Sequence, residues 1–310
     1  MKIVFMGTPV FSLACLESLI EAGHEVAAVF TQPDRPKNRG KQIQMTPVKE
    51  CALKHDIPVY QPLSLRKGED AETSMQVLRD IAPECIVVVA YGQILPKEVL
   101  ELPKHGCINV HASLLPMYRG AAPIQRVIED GQTVSGVTTM YMAEGLDTGD
   151  MILKEEVAIP EDMTGSQLHD ALSACGAALI VKTLDALADG TAVRIPQEGE
   201  TCYAKMITKE ELKLDFTKPA KQVYDLIRAM SDAPCAFTML EGKRMKVYMS
   251  RIVEKVSGEA GTIADAEHFI VACGDGNGVQ LTEIQPEGGK RMDVNAFLRG
   301  KKLEKGASLG

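Results

Sequence analysis

The sequence contains no tryptophan and is only 5% aromatic. A surface that stacks unpaired bases on rings is therefore poorly provided for, and any nucleic-acid contact has to rest on phosphates and shape. No apolar run approaches the roughly 20 residues needed to cross a bilayer. Met1-Lys2-Ile3-Val4-Phe5 leads straight into a strand pattern without the small-residue cleavage site of a signal peptide, so the expected compartment is the cytosol. The eight cysteines (Cys15, Cys51, Cys85, Cys107, Cys175, Cys202, Cys235 and Cys273) include no Cys-x-x-Cys pair. That spacing argues against a disulfide scaffold and a four-thiolate zinc site, and leaves reduced core thiols. The three-glycine dinucleotide fingerprint is also missing: Gly7 stands alone, with Pro9 where the second glycine belongs. No internal repeat or low-complexity tract is present.

What remains is ordinary globular material, 45% hydrophobic and 25% charged. At 310 residues the chain exceeds one core, so a large domain with a smaller one is expected. The net charge of −8 is uneven: residues 206–310 carry 16 basic and 15 acidic side chains, leaving the excess acid to residues 1–205. An acidic whole argues against general coating of nucleic acid but leaves room for a local basic face in the C-terminal part.

Periodicity predicts a strand over 2–6, a helix over 10–22, a strand over 25–31 and a helix from Thr46-Pro47 to about His55. Cys85–Ala90 is apolar throughout and β-branched, the pattern of a strand buried on both faces. A short strand over 107–110, a helix over 123–130, extended segments over 136–142 and 151–157 and a long helix over 166–187 complete the alternation. The expected fold is α/β: an N-terminal doubly wound, mostly parallel, Rossmann-like sheet over residues 1–189. Periodicity fades over 190–205, read as a linker. Beyond it, a helix over 220–230 and short alternating runs predict a smaller C-terminal β-barrel, OB-like, over 206–310.

The chemistry concentrates between Asn109 and Asp150. Asn109 and His111 are two apart in a strand, so both face one side while Val110 faces the other. They sit at that strand's C-terminal end, where open α/β sheets bind ligands. Asp147 lies in the Gly-flanked loop Glu144-Gly145-Leu146-Asp147-Thr148-Gly149-Asp150. A satisfied core histidine is the bland alternative, but an amide, an imidazole and an acidic loop make a poor apolar core. A metal on His105, Cys107 and His111 is disfavoured, because six extended residues span roughly 20 Å. No nucleophile elbow is present. Attack by the substrate's own nucleophile fits better: Asn109 donates to an oxygen turning negative, His111 donates and carries a proton, and Asp147 holds the imidazole or takes the proton an attacking amine loses. This is a constellation for acyl transfer without a covalent enzyme intermediate, and no metal is expected.

With Ser113-Leu114-Leu115-Pro116 and Leu146-Asp147-Thr148-Gly149-Asp150, these residues resemble the folate-dependent formyltransferases. The resemblance implies transfer of formyl from 10-formyltetrahydrofolate to an amine, with Asn109, His111 and Asp147 catalytic. It places the pterin against Val89, Ala90, Tyr91, Gly92 and Ile94 and against the loop that includes Tyr141 and Gly145. Ser113, Leu114, Leu115 and Pro116 line the folate side. Met6–Pro9, Gln32–Pro36, Arg39–Lys41, Val88–Gly92, Arg119–Gln125 and Tyr203–Lys205 resemble the branch whose acceptor is charged initiator methionyl-tRNA. On composition alone Gln32–Gln44 reads as a solvated loop. The resemblance makes it the loop that engages the acceptor end of the tRNA, through Arg39 foremost and Arg35, Lys37 and Lys41. Clusters at Lys243/Arg244/Lys246, Lys290/Arg291 and Arg299/Lys301/Lys302/Lys305 read as solvated faces, to which the resemblance gives a tRNA-holding role. Rival readings keep the chemistry with an amino-sugar or glycinamide-ribonucleotide acceptor, or with hydrolysis of the formyl-folate. A further rival is a non-catalytic RNA-binding adaptor. No membrane partner is expected, and nothing demands more than a monomer.

Overall fold

A computed structural model describes residues 1–37 and 42–310 of the chain. Strand β1 (Lys2–Gly7) is followed by α1 (Val10–Glu21), β2 (Glu25–Phe30), the short β3 (Arg35–Lys37) and β4 (Gln42–Gln44), α2 (Pro47–Lys54) and β5 (Val59–Tyr60). Then come α3 (Glu69–Ile81), β6 (Cys85–Val89), α4 (Lys97–Leu100), β7 (Cys107–His111), β8 (Arg119–Gly120), α5 (Pro123–Glu129), β9 (Val134–Tyr141), β10 (Met151–Ala158), α6 (Gly165–Ala188) and β11 (Tyr203–Ala204). Two compact units emerge, one of Met1–Gly120, Ser135–Val157 and His169–Tyr203, the other of Ala121–Val134, Ala158–Leu168 and Ala204–Gly310.

The first unit carries a seven-stranded sheet in the order β10-β9-β7-β6-β1-β2-β5. β1, β2, β5, β6 and β7 run parallel, and β9 joins β7 antiparallel. Every residue of β6 is buried, as its uniform apolarity requires. The chain leaves β1 for β2 on one side and returns to β6 on the other, so the strand order reverses between β1 and β6. Ligands of open α/β sheets bind beyond the strand ends at such a reversal. Thr46 caps α2 by accepting the Lys49 N–H at 3.1 Å, with Pro47 in the first turn. Helix α3 has no counterpart in the sequence reading. Its opening turns are mostly polar, with Glu69, Asp70 and Glu72 favouring the positive helix end, and large apolar residues begin only at Met75.

Helix α6 has 24 residues and is long and apolar enough to cross a membrane, a property that a search for unbroken apolar runs passes over because His169, Asp170, Lys182 and Asp185 interrupt it. Half of its most apolar stretch is buried inside the protein. It lies close to β7: a side chain at Gly176 would place its Cβ 3.0 Å from Val110, on the strand face opposite Asn109 and His111. The Thr183 and Thr139 hydroxyls meet at 2.8 Å, and the Ser173 hydroxyl donates to the Phe11 carbonyl.

In the second unit α5 packs on α7 (Ala220–Met230), which backs an antiparallel sheet of β12 (Ala236–Leu240), β13 (Lys243–Val253), β14 (Ile263–Asp265), β15 (Ile270–Ala272), β16 (Gly278–Pro286) and β17 (Met292–Asp293). α8 (Val294–Gly300) follows β17. The sheet order is β12-β13-β16-β15-β14, with β17 on β16. The two edges are joined by the segment after α8. Leu309 bridges Leu240 at the end of β12, and Ser308 bridges Thr262 beside β14. The expected barrel thus closes through residues 306–310, with no direct pairing of β12 to β14 given by the sheet order.

Candidate active site

Asn109 and His111 lie on β7, paired to Met140 and Thr138 of β9. The Asn109 side chain is half-buried and takes no partner among the described residues. An amide left without a protein partner at the C-terminal end of a parallel strand is available to a ligand oxygen. His111 is buried, and its Nε2 stands 2.9 Å from the Tyr118 carbonyl. A carbonyl only accepts, so Nε2 carries a hydrogen and donates it. Nδ1 is the ring nitrogen left for chemistry, and it faces Asp147 Oδ2 at 3.7 Å. That separation exceeds a hydrogen bond. The carboxylate and Nδ1 stand side by side, each able to receive a proton.

Asp147 adopts a left-handed backbone, φ +51°, which costs a residue with a Cβ on the order of 1–2 kcal/mol. Three contacts hold it there. Oδ2 accepts the Gly120 N–H at 2.8 Å, and the Gln197 side-chain amide donates to the carbonyls of both Asp147 and Gly149, each at 2.8 Å. The Gln197 oxygen accepts Nε and Nη2 of Arg119 at 2.9 and 2.7 Å. Gly149 permits the close return of this loop, since a Cβ there would lie 1.7 Å from the Tyr141 carbonyl oxygen.

The residues expected along the folate divide into buried and open ones. Val89 and Tyr91 are buried, and their carbonyls are taken by the hydroxyls of Ser12 (2.6 Å) and Thr8 (3.0 Å), with the Gln32 amide also on Tyr91 (3.3 Å). Burial pushes the Tyr91 phenol well above its usual range, and its OH has no partner among the described residues. Ala90 (φ +46°) and Gly92 (φ +84°), which alternate with them, are exposed, and Ile94 is 66% exposed. Ser113 is buried with its hydroxyl on the Met117 carbonyl, and Leu115 packs with Met140 and Met151. Thr138 and Lys154 pin the same turn, through the Ser113 and Leu115 carbonyls. Leu114 and Pro116 are half-buried. Tyr141 lies under the Arg194 guanidinium, 3.7 Å from its ring centre, while Gly145 and its neighbour Leu146 are exposed.

Arg35 is exposed and lines a cavity of about 390 Å³ with Thr8, Gln32, Pro33, Met45 and Gly92. The structure thus brings one cation of the tRNA set and one glycine of the folate set to a single depression. Arg39 and Lys41 lie outside the described residues, as does the side chain of Lys37. Asp34 is tied inward to Lys49 and Gln61 (2.7 Å); although burial alone would raise its carboxyl, those bonds hold it below the usual carboxylate range.

Among the C-terminal cations, Arg291 is engaged by Glu283 and Asp232 and lies over the Tyr248 ring. Those acids raise its guanidinium further above its already high range. Lys301 pairs with Glu241. Lys243, Lys290, Arg299, Lys302 and Lys305 are exposed. A larger cavity in the second unit, about 810 Å³, is lined by six carboxylates and three lysines, a poor seat for phosphate. Among the described residues, no three His, Cys, Asp or Glu side chains gather as metal ligands. Cys107 points into the core with its thiol on the Val99 carbonyl, pushed up to about 12 by burial.

The residues that sequence reasoning missed are Gln197 and, as site-shaping groups, Arg119, Gln32 and Thr8. Their only sequence signal was membership of segments already noted for resemblance (Thr8, Gln32, Arg119), whereas Gln197 stood in the supposed linker. That stretch is no free connector: Ile195 and Met151 exchange backbone hydrogen bonds at 2.8 and 2.9 Å.

Residues 1–184 match the formyl transferase family, and residues 206–302 match the formyl transferase C-terminal domain. The chain belongs to the formyl transferase family. A methionyl-tRNA formyltransferase of Clostridium botulinum is 50% identical over 100% of both chains, and one of Geobacter sulfurreducens is 48% identical over 100% of this chain and 97% of its own. The fold is shared with the methionyl-tRNA formyltransferase from Clostridium thermocellum (TM-score 0.56, 19% identity, 81% of this chain and 93% of that one). It is also shared with an N-formyltransferase from Helicobacter canadensis (TM-score 0.69, 19% identity, 91% and 98%).

Proposed function

We propose that the chain transfers the formyl group of 10-formyltetrahydrofolate to the α-amino group of methionyl-tRNA, giving N-formylmethionyl-tRNA for translation initiation, and tetrahydrofolate. The observation that carries the reaction class is the pairing of an unpartnered Asn109 amide with the His111–Asp147 couple at the sheet's ligand-binding end. The acceptor follows from full-length similarity to methionyl-tRNA formyltransferases.

Free α-amino groups titrate near ~8, so a neutral fraction exists at about pH 7 and no strong base is required to expose its lone pair. The amine nitrogen bonds to the formyl carbon, and the carbonyl oxygen becomes an oxyanion. The Asn109 amide donates to that oxygen, and His111 joins it once a proton sits on Nδ1. The nitrogen then sheds its proton to Asp147 or His111 Nδ1. When the bond from formyl carbon to N10 of the folate breaks, that nitrogen gains a proton, so the His111–Asp147 couple is restored each turnover. The folate is proposed to lie along exposed Ala90, Gly92 and Ile94 and the Gly145 loop, meeting Ser113 and Leu115 through the turn they build rather than by their side chains. The aminoacyl end is proposed to enter beside Arg35, with Arg39, Lys37 and Lys41 on the same loop toward the RNA. The C-terminal unit, with exposed Lys243, Lys290, Lys302 and Lys305, is proposed to hold the tRNA body, and the protein to act as a monomer.

The test is release of tetrahydrofolate with methionyl-tRNA, uncharged tRNA or glycinamide ribonucleotide supplied in turn. Release with methionyl-tRNA alone is expected, and Asp147→Asn should lower kcat on the order of 10²- to 10⁴-fold. Equal release with the other acceptors, or unchanged kcat in Asp147→Asn, overturns the assignment.

A further inference from the structure

We propose that Gln197 is a positioning residue for formyl transfer, fixing the Asp147 carboxylate against His111 by clamping the 147–149 backbone to Arg119. The proposal rests on the reading of Asn109, His111 and Asp147 as the reacting set. All four hydrogen-bonding positions of the Gln197 amide are used: two hydrogens on the carbonyls of Asp147 and Gly149, two lone pairs on Arg119. The orientation is dictated by chemistry, because a guanidinium only donates and a carbonyl only accepts. Gln197 cannot turn over without losing every partner.

The consequence reaches the carboxylate from two sides. One side is the loop itself, where Asp147 sits with φ +51° and its carbonyl is held. The other side is the donor, since Arg119 precedes Gly120, whose N–H fixes Asp147 Oδ2. Gln197 therefore sets the spacing between the carboxylate and the group that aims it. Its own segment is anchored at both ends. Ile195 bonds to Met151, and Cys202 accepts the Arg119 N–H on its carbonyl (3.0 Å) and the Tyr118 N–H on its sulfur (3.3 Å). Tyr118 in turn receives the His111 ring hydrogen. Residues 195–202 thus act as a strap across the 147–149 loop, which carries Asp147, and the 118–120 segment, which holds the His111 ring and the Asp147 carboxylate.

Gln197→Glu isolates this role. The carboxylate keeps its hold on Arg119 as an ion pair, but an acceptor oxygen replaces the NH2 that faced the two carbonyls. Gln197→Met removes the polar contacts while keeping the length. Each variant is assayed for tetrahydrofolate release with methionyl-tRNA, alone and combined with Asp147→Asn, beside thermal unfolding. In both variants kcat should fall on the order of 10- to 100-fold. The KM for 10-formyltetrahydrofolate should stay within about threefold, and melting temperatures should change little in Gln197→Glu. Asp147→Asn should cost far less in the Gln197→Glu background than in the parent, because a misplaced carboxylate has less left to lose. Retained kcat in both variants overturns the proposal, as does a full, additive Asp147→Asn penalty, or activity loss that merely follows the unfolded fraction. An active Asp147→Asn single variant would instead overturn the assignment of the reacting set itself.

Discussion

Gly149→Ala tests whether the Asp147 loop is as tight as the structure draws it. The new Cβ would stand 1.7 Å from the Tyr141 carbonyl oxygen and 2.8 Å from its carbon. A carbon–oxygen contact needs about 3.3 Å, so the two arms of the loop must part by on the order of 1.5 Å. The obstacle is backbone on both sides, in a hairpin whose arms are joined by the Tyr141 N–H to the Asp150 carbonyl at 2.8 Å. No rotamer change relieves it. An opening of that size stretches the 2.8 Å bond from Gln197 to Gly149 past any useful length and carries Asp147 away from Nδ1 of His111. Overpacking of this kind costs about 1–3 kcal/mol, or roughly 2–12 °C in melting temperature at about 2–4 °C per kcal/mol. Misplacing a reacting group by about 1 Å costs on the order of 10²-fold in rate. Gly145→Ala is the matched control, because its Cβ meets only the exposed Thr148 side chain, at 2.4 Å from Oγ1, which can rotate away. Thermal unfolding and single-turnover formyl transfer to methionyl-tRNA should separate the pair. Gly149→Ala should lose stability and rate together, whereas any change in Gly145→Ala should be confined to KM for the folate. A Gly149→Ala protein with parental melting temperature and kcat refutes the loop geometry.

In the second unit, Asp225 and Arg228 form a 2.8 Å ion pair with side chains only 4% exposed, and Arg228 also donates to the Met163 carbonyl. Arg228→Met leaves the buried carboxylate with Lys221 alone and should cost on the order of 3–5 kcal/mol, whereas Asp225→Leu with Arg228→Met should recover most of it; equal melting temperatures for single and double variants would contradict this. The depressed Asp34 carboxyl predicts a pH effect of definite sign. Because its folded pKa lies below the unfolded value near ~3.9, its contribution is fully present above that value and fades as pH falls through the folded one. The stability gap between the parent and Asp34→Asn, measured by thermal unfolding, should therefore be constant from pH 7 to about 5 and shrink below about 4. A gap that widens on acidification rules the linkage out.

The parallel sheet was legible because burial leaves a plain mark on a strand: Cys85–Val89 has no polar residue to place. Asn109 and His111 were legible for the complementary reason, a period of two that put polar groups on one face at a strand's end. Helix α3 escaped because its polar opening turns carry no apolar stripe, and its stability rests on the later Met75, Val77, Leu78 and Ile81 packing on the sheet. Ser113 and Leu115 are a subtler case. A short motif records that residues are needed together without recording whether they touch a ligand or shape the turn that does. Here the Ser113 hydroxyl and the Leu115 side chain are spent inside the protein.

Gln197 shows where local reading stops. Its neighbours from Val193 to Thr201 are exposed, with only Gln197 itself turned partly inward, and that spacing is neither a helix's nor a strand's. Such a stretch reads as a linker on any test of periodicity. Its four bonds to oxygen and guanidinium partners go to residues about 50 and 80 positions away, Asp147 and Gly149 on one loop and Arg119 on β8. An isolated strap has no pattern of its own because the order it supplies belongs to the loops it crosses. Segments that are aperiodic in sequence yet rich in long-range side-chain bonds to backbone are where positioning residues belong, since only they can tie two catalytic loops without building a third element between them.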